Sequence, residues 1–418
     1  MARIAVLGAF DTKASEFLYL IQQIENRGHQ VVRIDFGVLK EPPFAVEIAA
    51  GQVAEAGGVA LLELRRKGER GQAMQVMASG AAKVVGELLQ QGKIDGLIAM
   101  GGSGGTAVFL EVARHLPLGF PKVLVSTLAN PAGGDALAIH DFVLVPAVVD
   151  IAGLNRISRR VIRNAAHAIC GMVECTVAEK IEDKPIIATT MLGNTTPAVD
   201  QARRVFEAAG YEVLVFHAIG NGGRTMESLI QGGWIEAVFD LTTVELAAEL
   251  VGSTAYSAGK QRLTAAAQKG VPQVVSVGCL DFAIFARPET IPERYRSRFF
   301  YRWNPETTLM RTTPEENKLL GEEIAQKLNL SMGNCVLWFP KKGFSQLDVH
   351  DGPFWSPAAD MALLQALKDN LSPSIPITEV EAHINDNAFA EAMAQALLTL
   401  QNSSLKHGEV VTGDESDN

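Results

Sequence analysis

Cysteine, positive charge and long apolar runs are all scarce in this chain, and each shortage narrows what it can be. Only four cysteines occur among 418 residues, and Cys170, Cys175, Cys279 and Cys335 never fall at CxxC spacing. Neither a disulfide framework nor a zinc site is expected, which fits a reducing cytoplasm. Lysine and arginine (37) are outnumbered by aspartate and glutamate (47), and the net charge of −10 argues against nonspecific nucleic-acid binding. No apolar run approaches the roughly 20 residues of a membrane span, because strand-like stretches such as 94–100 are soon interrupted. The first residues read as a strand and carry no charged-then-apolar leader. The expected protein is therefore cytoplasmic, with neither membrane nor nucleic acid among its partners. Also missing are HExxH, a Ser-His-Asp set and the lysine of a Walker loop. Residues 403–418 hold almost no apolar side chain and read as a disordered acidic tail.

What is present is glycine (38 residues) and a hydrophobic content of 47%, enough for two packed domains. Apolar strand signals alternate with helical periodicity, the pattern of βα units on a parallel sheet. The first half offers strands at 4–7, 31–36, 94–100, 122–126 and 142–149. The second offers 185–192, 212–216, 235–240, 273–277 and 335–339. Shifted by 182 positions the halves align: Ile4 falls on Ile186, Gly28 on Gly210 and Val31 on Val213. The fold class expected is α/β, with two Rossmann-like, doubly wound subdomains that duplicate one architecture. Their boundaries are 1–178 and 185–402, ahead of the tail. Between them a long helical pattern over 151–176 carries a seam of Leu154, Ile157, Val161, Ala165, Ala168 and Met172. Arg156, Arg159, Arg160 and Arg163 form the opposite, solvated face.

The densest chemical signal is the run Gly101-Gly102-Ser103-Gly104-Gly105-Thr106, placed between a buried strand and a helix marked by Phe109, Val112, Ala113 and Leu116. Without Cβ atoms, backbone N–H groups can converge on an anion, helped by the helix N-terminus and the hydroxyls of Ser103 and Thr106. The simpler reading is a turn that brings helix and sheet together. A second strand–helix turn, Phe10-Asp11-Thr12-Lys13, offers Asp11 or Thr12 as N-cap. Lys13 opposes the helix dipole there, which points to an anionic partner. Loops at the carboxyl ends of neighbouring parallel strands share a crevice, so both turns could meet one ligand. Lys13 would face phosphate oxygens and Asp11 would hold Mg²⁺ directly or through water.

In the second half, His217 to Arg224 with Glu227, Asp240 to Glu245, and Gly278 to Asp281 each follow a strand. The expectation is that His217, Glu227, Asp240 and Asp281 converge on one cleft, as a general base and clamp for a small anionic substrate. The alternative is that Gly220–Gly223 is a turn and that His217 and Asp240 cap helices. Asn385 and Asp386 are expected to cap the terminal helix.

Together Gly8-Ala-Phe-Asp-Thr-Lys13, Arg70-Gly-Gln-Ala-Met74, Gly101 to Thr106, Val149-Asp-Ile-Ala-Gly-Leu-Asn155 and His383-Ile-Asn-Asp386 resemble one family. It comprises the ATP-binding, inhibitory domain of the plant tobamovirus-resistance protein and its bacterial relatives. The resemblance spans about residues 2–400 and implies two Rossmann-like subdomains, ATP with Mg²⁺ in the first, and a homodimer. One departure is Trp303, which stands before Asn304-Pro305 where relatives commonly place a histidine. The function expected is an ATP·Mg-binding enzyme acting on an organic acid in the interdomain cleft. The alternative is a nucleotide-dependent regulatory or protein-interaction module without catalysis.

Overall fold

Fourteen strands emerge among the residues that the computed structural model describes, which are 1–128, 141–175, 184–331 and 333–411, with backbone alone at 404–411. The chain divides into two compact units, Met1–Lys180 and Ile181–Asn418. The expected linker around 179–184 falls mainly outside the described residues.

In the first unit β1 (Arg3–Gly8), β2 (Gln30–Asp35), β3 (Gly96–Gly101), β4 (Lys122–Ser126) and β5 (Val143–Pro146) form an all-parallel sheet ordered β2-β1-β3-β4-β5. Alternation along each strand separates two cores. Ala5, Leu7, Leu97, Ala99 and Leu124 face helices that include Arg70–Gln90 and Ser103–Ala113. Ile4, Val6, Ile98, Met100 and Val125 face Ala14–Glu25 and Arg156–Glu174. Burial on both faces is why these strands read as unbroken apolar runs.

The second unit repeats this order and adds a strand. Here β6 (Ile186–Met191), β7 (Glu212–His217), β8 (Ala237–Thr242) and β9 (Gln273–Gly278) are followed by a three-stranded antiparallel sheet. That sheet comprises β10 (Phe282–Phe285), β11 (Phe300–Asn304) and β12 (Thr307–Arg311). With β13 (Cys335–Pro340) and β14 (Ile377–Val380), the parallel sheet runs β7-β6-β8-β9-β13-β14. The 182-residue shift holds for topology but slips in register. Ile4 pairs with Val31, whereas Ile186 pairs with Glu212, one residue short of Val213.

Three local expectations are corrected. The helix Arg156–Glu174 buries Ile162, Ala165, Ala166, Ile169 and Cys170, so its seam is rotated from the one expected, and Ile157 is exposed. The arginine face is exposed as expected. The first helix starts at Ala14 with Lys13 in the N-cap position and no side-chain cap, so neither Asp11 nor Thr12 caps it. The last helix, Asn387–Val411, carries helical backbone into the stretch read as a disordered tail; residues 412–418 lie outside the described set. All four cysteines are free, and no helix among the described residues is long and apolar enough to cross a membrane.

Candidate functional site

Strand order β2-β1-β3 reverses the direction of winding between β1 and β3, and ligands of such sheets gather at the carboxyl ends there. The loops that meet at this edge carry Asp11, Lys13 and the glycine run. Gly8 has a packing reason: a Cβ there would stand 2.3 Å from Phe17 Cζ. Asp11 is buried, and its Oδ2 accepts the Leu39 N–H at 2.9 Å while Oδ1 has no partner. Asp35, at the end of β2, accepts from Phe10 N (3.1 Å) and Gly37 N (2.9 Å) through Oδ1, and its Oδ2 has no partner. Burial, with the charge of Asp11 adding to it, pushes the Asp35 carboxyl up to about 6. Two buried carboxylates, each with one unpartnered oxygen, are a donor set suited to a divalent cation with oxygen ligands. Asp35 was not singled out in the sequence, because a strand-terminal aspartate looks like any turn residue.

Lys13 and Glu16 tie this edge to the segment after β5. Lys13 Nζ donates to Ile151 O, and Glu16 Oε1 accepts from Gly153 N at 2.5 Å. Asn155 then caps the helix Arg156–Glu174, taking Ile157 N and Ser158 N at 2.9 Å each. These bonds give the 149–155 motif a structural purpose.

The four glycines split into two pairs. A Cβ on Gly101 would lie 3.0 Å from Gly105 Cα, and one on Gly105 would lie 3.4 Å from Met100 O, so this pair lets the helix approach the strand. Gly102 and Gly104 have no such need, since their nearest neighbours would be Thr127 Oγ1 at 3.6 Å and Met74 Cε at 3.5 Å. Gly102 occupies the N-cap position of Ser103–Ala113. Ser103 is exposed, but Thr106 is buried with its hydroxyl 2.8 Å from Ser126 Oγ, so it is not free for a ligand. Met74, which bounds Gly104, also lines a cavity of about 530 Å³ with Asp11, Thr12, Leu39, Arg65 and Arg70. The Arg70 to Met74 motif therefore belongs to the wall of this cavity.

The second unit divides the residues expected to converge. Glu227, Asp240 and Glu245 surround Arg262, whose side chain is 0% exposed. Its Nη1 and Nη2 reach Asp240 at 2.5 and 2.8 Å, Nε reaches Glu245 at 2.7 Å, and Nη1 lies 3.5 Å from Glu227. Glu227 also accepts the N–H groups of Leu263 and Ala265 at 2.5 and 2.7 Å. Burial pushes Glu227 and Glu245 upward against the pull of Arg262. Glu245 further accepts from Gly220 N (2.5 Å) and Gly223 N (3.1 Å), and a Cβ on Gly223 would lie 2.1 Å from its Oε2. Residues 220–223, expected as a turn, are instead the N-cap position and start of the helix Asn221–Gln231, shaped around a carboxylate of the same chain. Arg262 was not picked out in the sequence, because it sits in a loop without periodicity.

Asp281 lies elsewhere, 0% exposed, with Oδ2 accepting the Ser345 hydroxyl at 2.7 Å. Arg311 pairs with Asp360 at 2.8 Å beside it, 4.0 Å from Asp348. Burial first and the charge of Asp348 second hold Asp281 well above the carboxylate range and raise Asp360 to about 7. Thr242 and Thr243 are also engaged, on Thr195 Oγ1 (2.8 Å) and Ser276 O (3.1 Å). His383 faces Ser345 O at 2.9 Å, and Asn385 reaches Asn194 O at 2.9 Å instead of capping a helix. Asp386 accepts from His383 N at 2.9 Å. His217 is exposed at the end of β7 and, with Asn194, Tyr256 and Trp303, lines a cavity of about 270 Å³ that none of these acids lines.

Comparison with known proteins agrees with this two-unit plan. Residues 2–178 and 184–401 match the N-terminal and C-terminal domains of the uncharacterised protein family UPF0261. A UPF0261 protein of Clostridium tetani is 42% identical over 95% of this chain and 98% of its own length, and one of Rhizobium meliloti is 41% identical over 96% and 100%. The tomato ToMV resistance protein Tm-1(GCR237) is 37% identical over 80% of this chain, which corresponds to 45% of that protein. A solved UDP-GlcNAc 2-epimerase from Neisseria meningitidis matches at 9% identity with a TM-score of 0.23, covering 66% of this chain and 82% of that one, too slight a likeness to argue from. The chain therefore belongs to the uncharacterised protein family UPF0261.

Proposed function

We propose that this protein binds ATP with Mg²⁺ at the carboxyl edge of its first sheet and acts as a nucleotide-dependent regulatory module. The observation that carries the reading is the pair Gly102 and Gly104. Both lack a packing reason for glycine, and Gly104 abuts Met74 in the wall of the 530 Å³ cavity. The free N–H groups of the helix N-terminus would take the phosphates. Arg70 stands at the cavity, and Asp11, with Asp35 behind it, would hold the cation that neutralises them. The alternative, an enzyme working on a small organic acid, drew its support from four residues converging. Glu227 and Asp240 are engaged by Arg262, Asp281 by Ser345, and His217 lines a cavity that none of the three lines, so the regulatory reading moves ahead.

Calorimetry on the full chain tests this. Gly102→Ala and Gly104→Ala fit without internal clash, so a loss of about tenfold or more in ATP affinity would report the phosphate approach alone. Unchanged affinity in both folded variants refutes the site. Lys13→Ala should weaken ATP by about 1–3 kcal/mol and adenosine by less, because a lost charge is felt by phosphate and not by base. Equal losses would assign Lys13 to the Ile151 tether only.

A further inference from the structure

We infer that the second unit holds a separate binding site for a small, uncharged, planar ligand that offers a hydrogen-bond donor beside an acceptor, as a primary amide or lactam does. The site is the cavity of about 270 Å³ at the carboxyl edge of the second sheet. It opens beside the loop after β6, the strand at which the order β7-β6-β8 reverses, where open α/β sheets place ligands.

Three features define the occupant. The first is Asn194, which is 2% exposed and lines the cavity, yet its side-chain amide bonds to none of the described residues and its Oδ1 has no partner. A buried amide without partners is rare enough to require a reason. Its place is fixed, because Asn385 Nδ2 holds the Asn194 carbonyl at 2.9 Å. An Asn side chain pairs naturally with another amide edge, donor to acceptor and acceptor to donor. The second feature is the wall. Leu192, Ile284 and Leu309 are buried apolar side chains, and the half-exposed ring of Trp303 offers a face for stacking. Tyr256 Oη and Thr307 Oγ1, 3.3 Å apart, can each turn to donate or accept. The third is charge: no lysine, arginine, aspartate or glutamate is among the described lining residues. His217, which is exposed, is the one imidazole among them, so an ionised ligand would lose hydration there with no fixed charge to offset the loss. The volume falls just below the roughly 300–1,000 Å³ of drug-sized pockets, which suits one or two rings and not a nucleoside triphosphate.

The experiment is calorimetric titration of nicotinamide, uracil and nicotinate into the full chain. Nicotinamide or uracil should bind with Kd at or below about 1 mM, and the anionic isostere nicotinate at least about tenfold more weakly. Asn194→Ala and Trp303→Ala should each lose about tenfold, while both retain wild-type affinity for ATP·Mg. Gly102→Ala should leave nicotinamide and uracil binding unchanged, so failure here and failure of the nucleotide site are read independently. Trp303 is half-exposed, so its variant decides the matter even where Asn194→Ala does not fold. No binding of either neutral probe up to about 10 mM, or nicotinate binding as tightly as nicotinamide, overturns the inference. So does wild-type affinity in the Trp303 variant.

Discussion

Arg262→Met should be among the most damaging single substitutions in the second unit, and the structure says by how much. The guanidinium satisfies Asp240 twice, Glu245 once and approaches Glu227, all within 3.5 Å and out of solvent. Methionine keeps much of the volume but removes the cation, leaving three carboxylates against one another. Breaking a buried pair in this way costs about 3–5 kcal/mol. In a unit of this size each kcal/mol moves Tm by about 2–4 °C, so a fall of about 6–20 °C is expected. The loss should also depend on pH. Burial already raises Glu227 and Glu245, and without Arg262 their folded-state values rise further. A carboxyl raised in the folded state contributes stability below its unfolded value near 4.3, and that contribution is lost as pH climbs through the folded value. The deficit of Arg262→Met, measured by urea denaturation, should therefore be larger at about pH 8 than at about pH 5. Adding Glu245→Gln and Asp240→Asn should recover part of it, since neutral partners need no cation. A deficit under about 1 kcal/mol at the higher pH, or one that is flat across the range, would refute the reasoning.

Two further predictions concern the first unit. Asp35, raised from 3.8 to about 6, has a folded-state value that makes its ionised form unfavourable; with each pKa unit worth about 1.4 kcal/mol, Asp35→Asn should gain about 3 kcal/mol over wild type at about pH 8, and chemical denaturation should see that gain vanish near pH 4. Gly104→Ala should stabilise the helix Ser103–Ala113 by about 0.5–1 kcal/mol, because its Cβ has room, while weakening ATP; a variant that melts higher and binds ATP as tightly as wild type would separate the glycine from the ligand.

The central strands were legible because burial on both faces turns them into apolar runs, and the repeat showed that both halves share one plan, though not the order of strands in either sheet. The antiparallel sheet was not. Phe282–Phe285 follows β9 too closely to read as a separate strand, and β11 holds Arg302, Trp303 and Asn304, a polar end without alternation. The seam of Arg156–Glu174 was misplaced because Ile157, Val161, Ile162 and Ile169 populate adjoining rows, so periodicity alone fits either row. At the sites, residue type predicted chemistry better than it predicted company. In the run 101–105 the packing reading holds for Gly101 and Gly105, which bring helix and strand together, and not for Gly102 and Gly104, where a Cβ has room. The acids of the second half looked catalytic, since nothing in the local sequence reveals that Arg262 will stand among them. Asn194 and Trp303 carried no signal as a pair, being more than a hundred residues apart and joined only by the fold.

The helix start around Glu245 has a further consequence, one of competition. Gly220 N and Gly223 N present converging donors to an anion that is tethered to the same chain. A tethered group acts at an effective concentration in the millimolar range or above for any solute that must displace it, and here Arg262 fastens the same carboxylate a second time. Metabolite levels that rise and fall around the protein would leave such a receptacle unchanged. Two halves built on one plan thus use glycine differently: in the first, Gly101 and Gly105 bring a helix onto its strand, and in the second, Gly220 and Gly223 hold a carboxylate that the chain itself supplies.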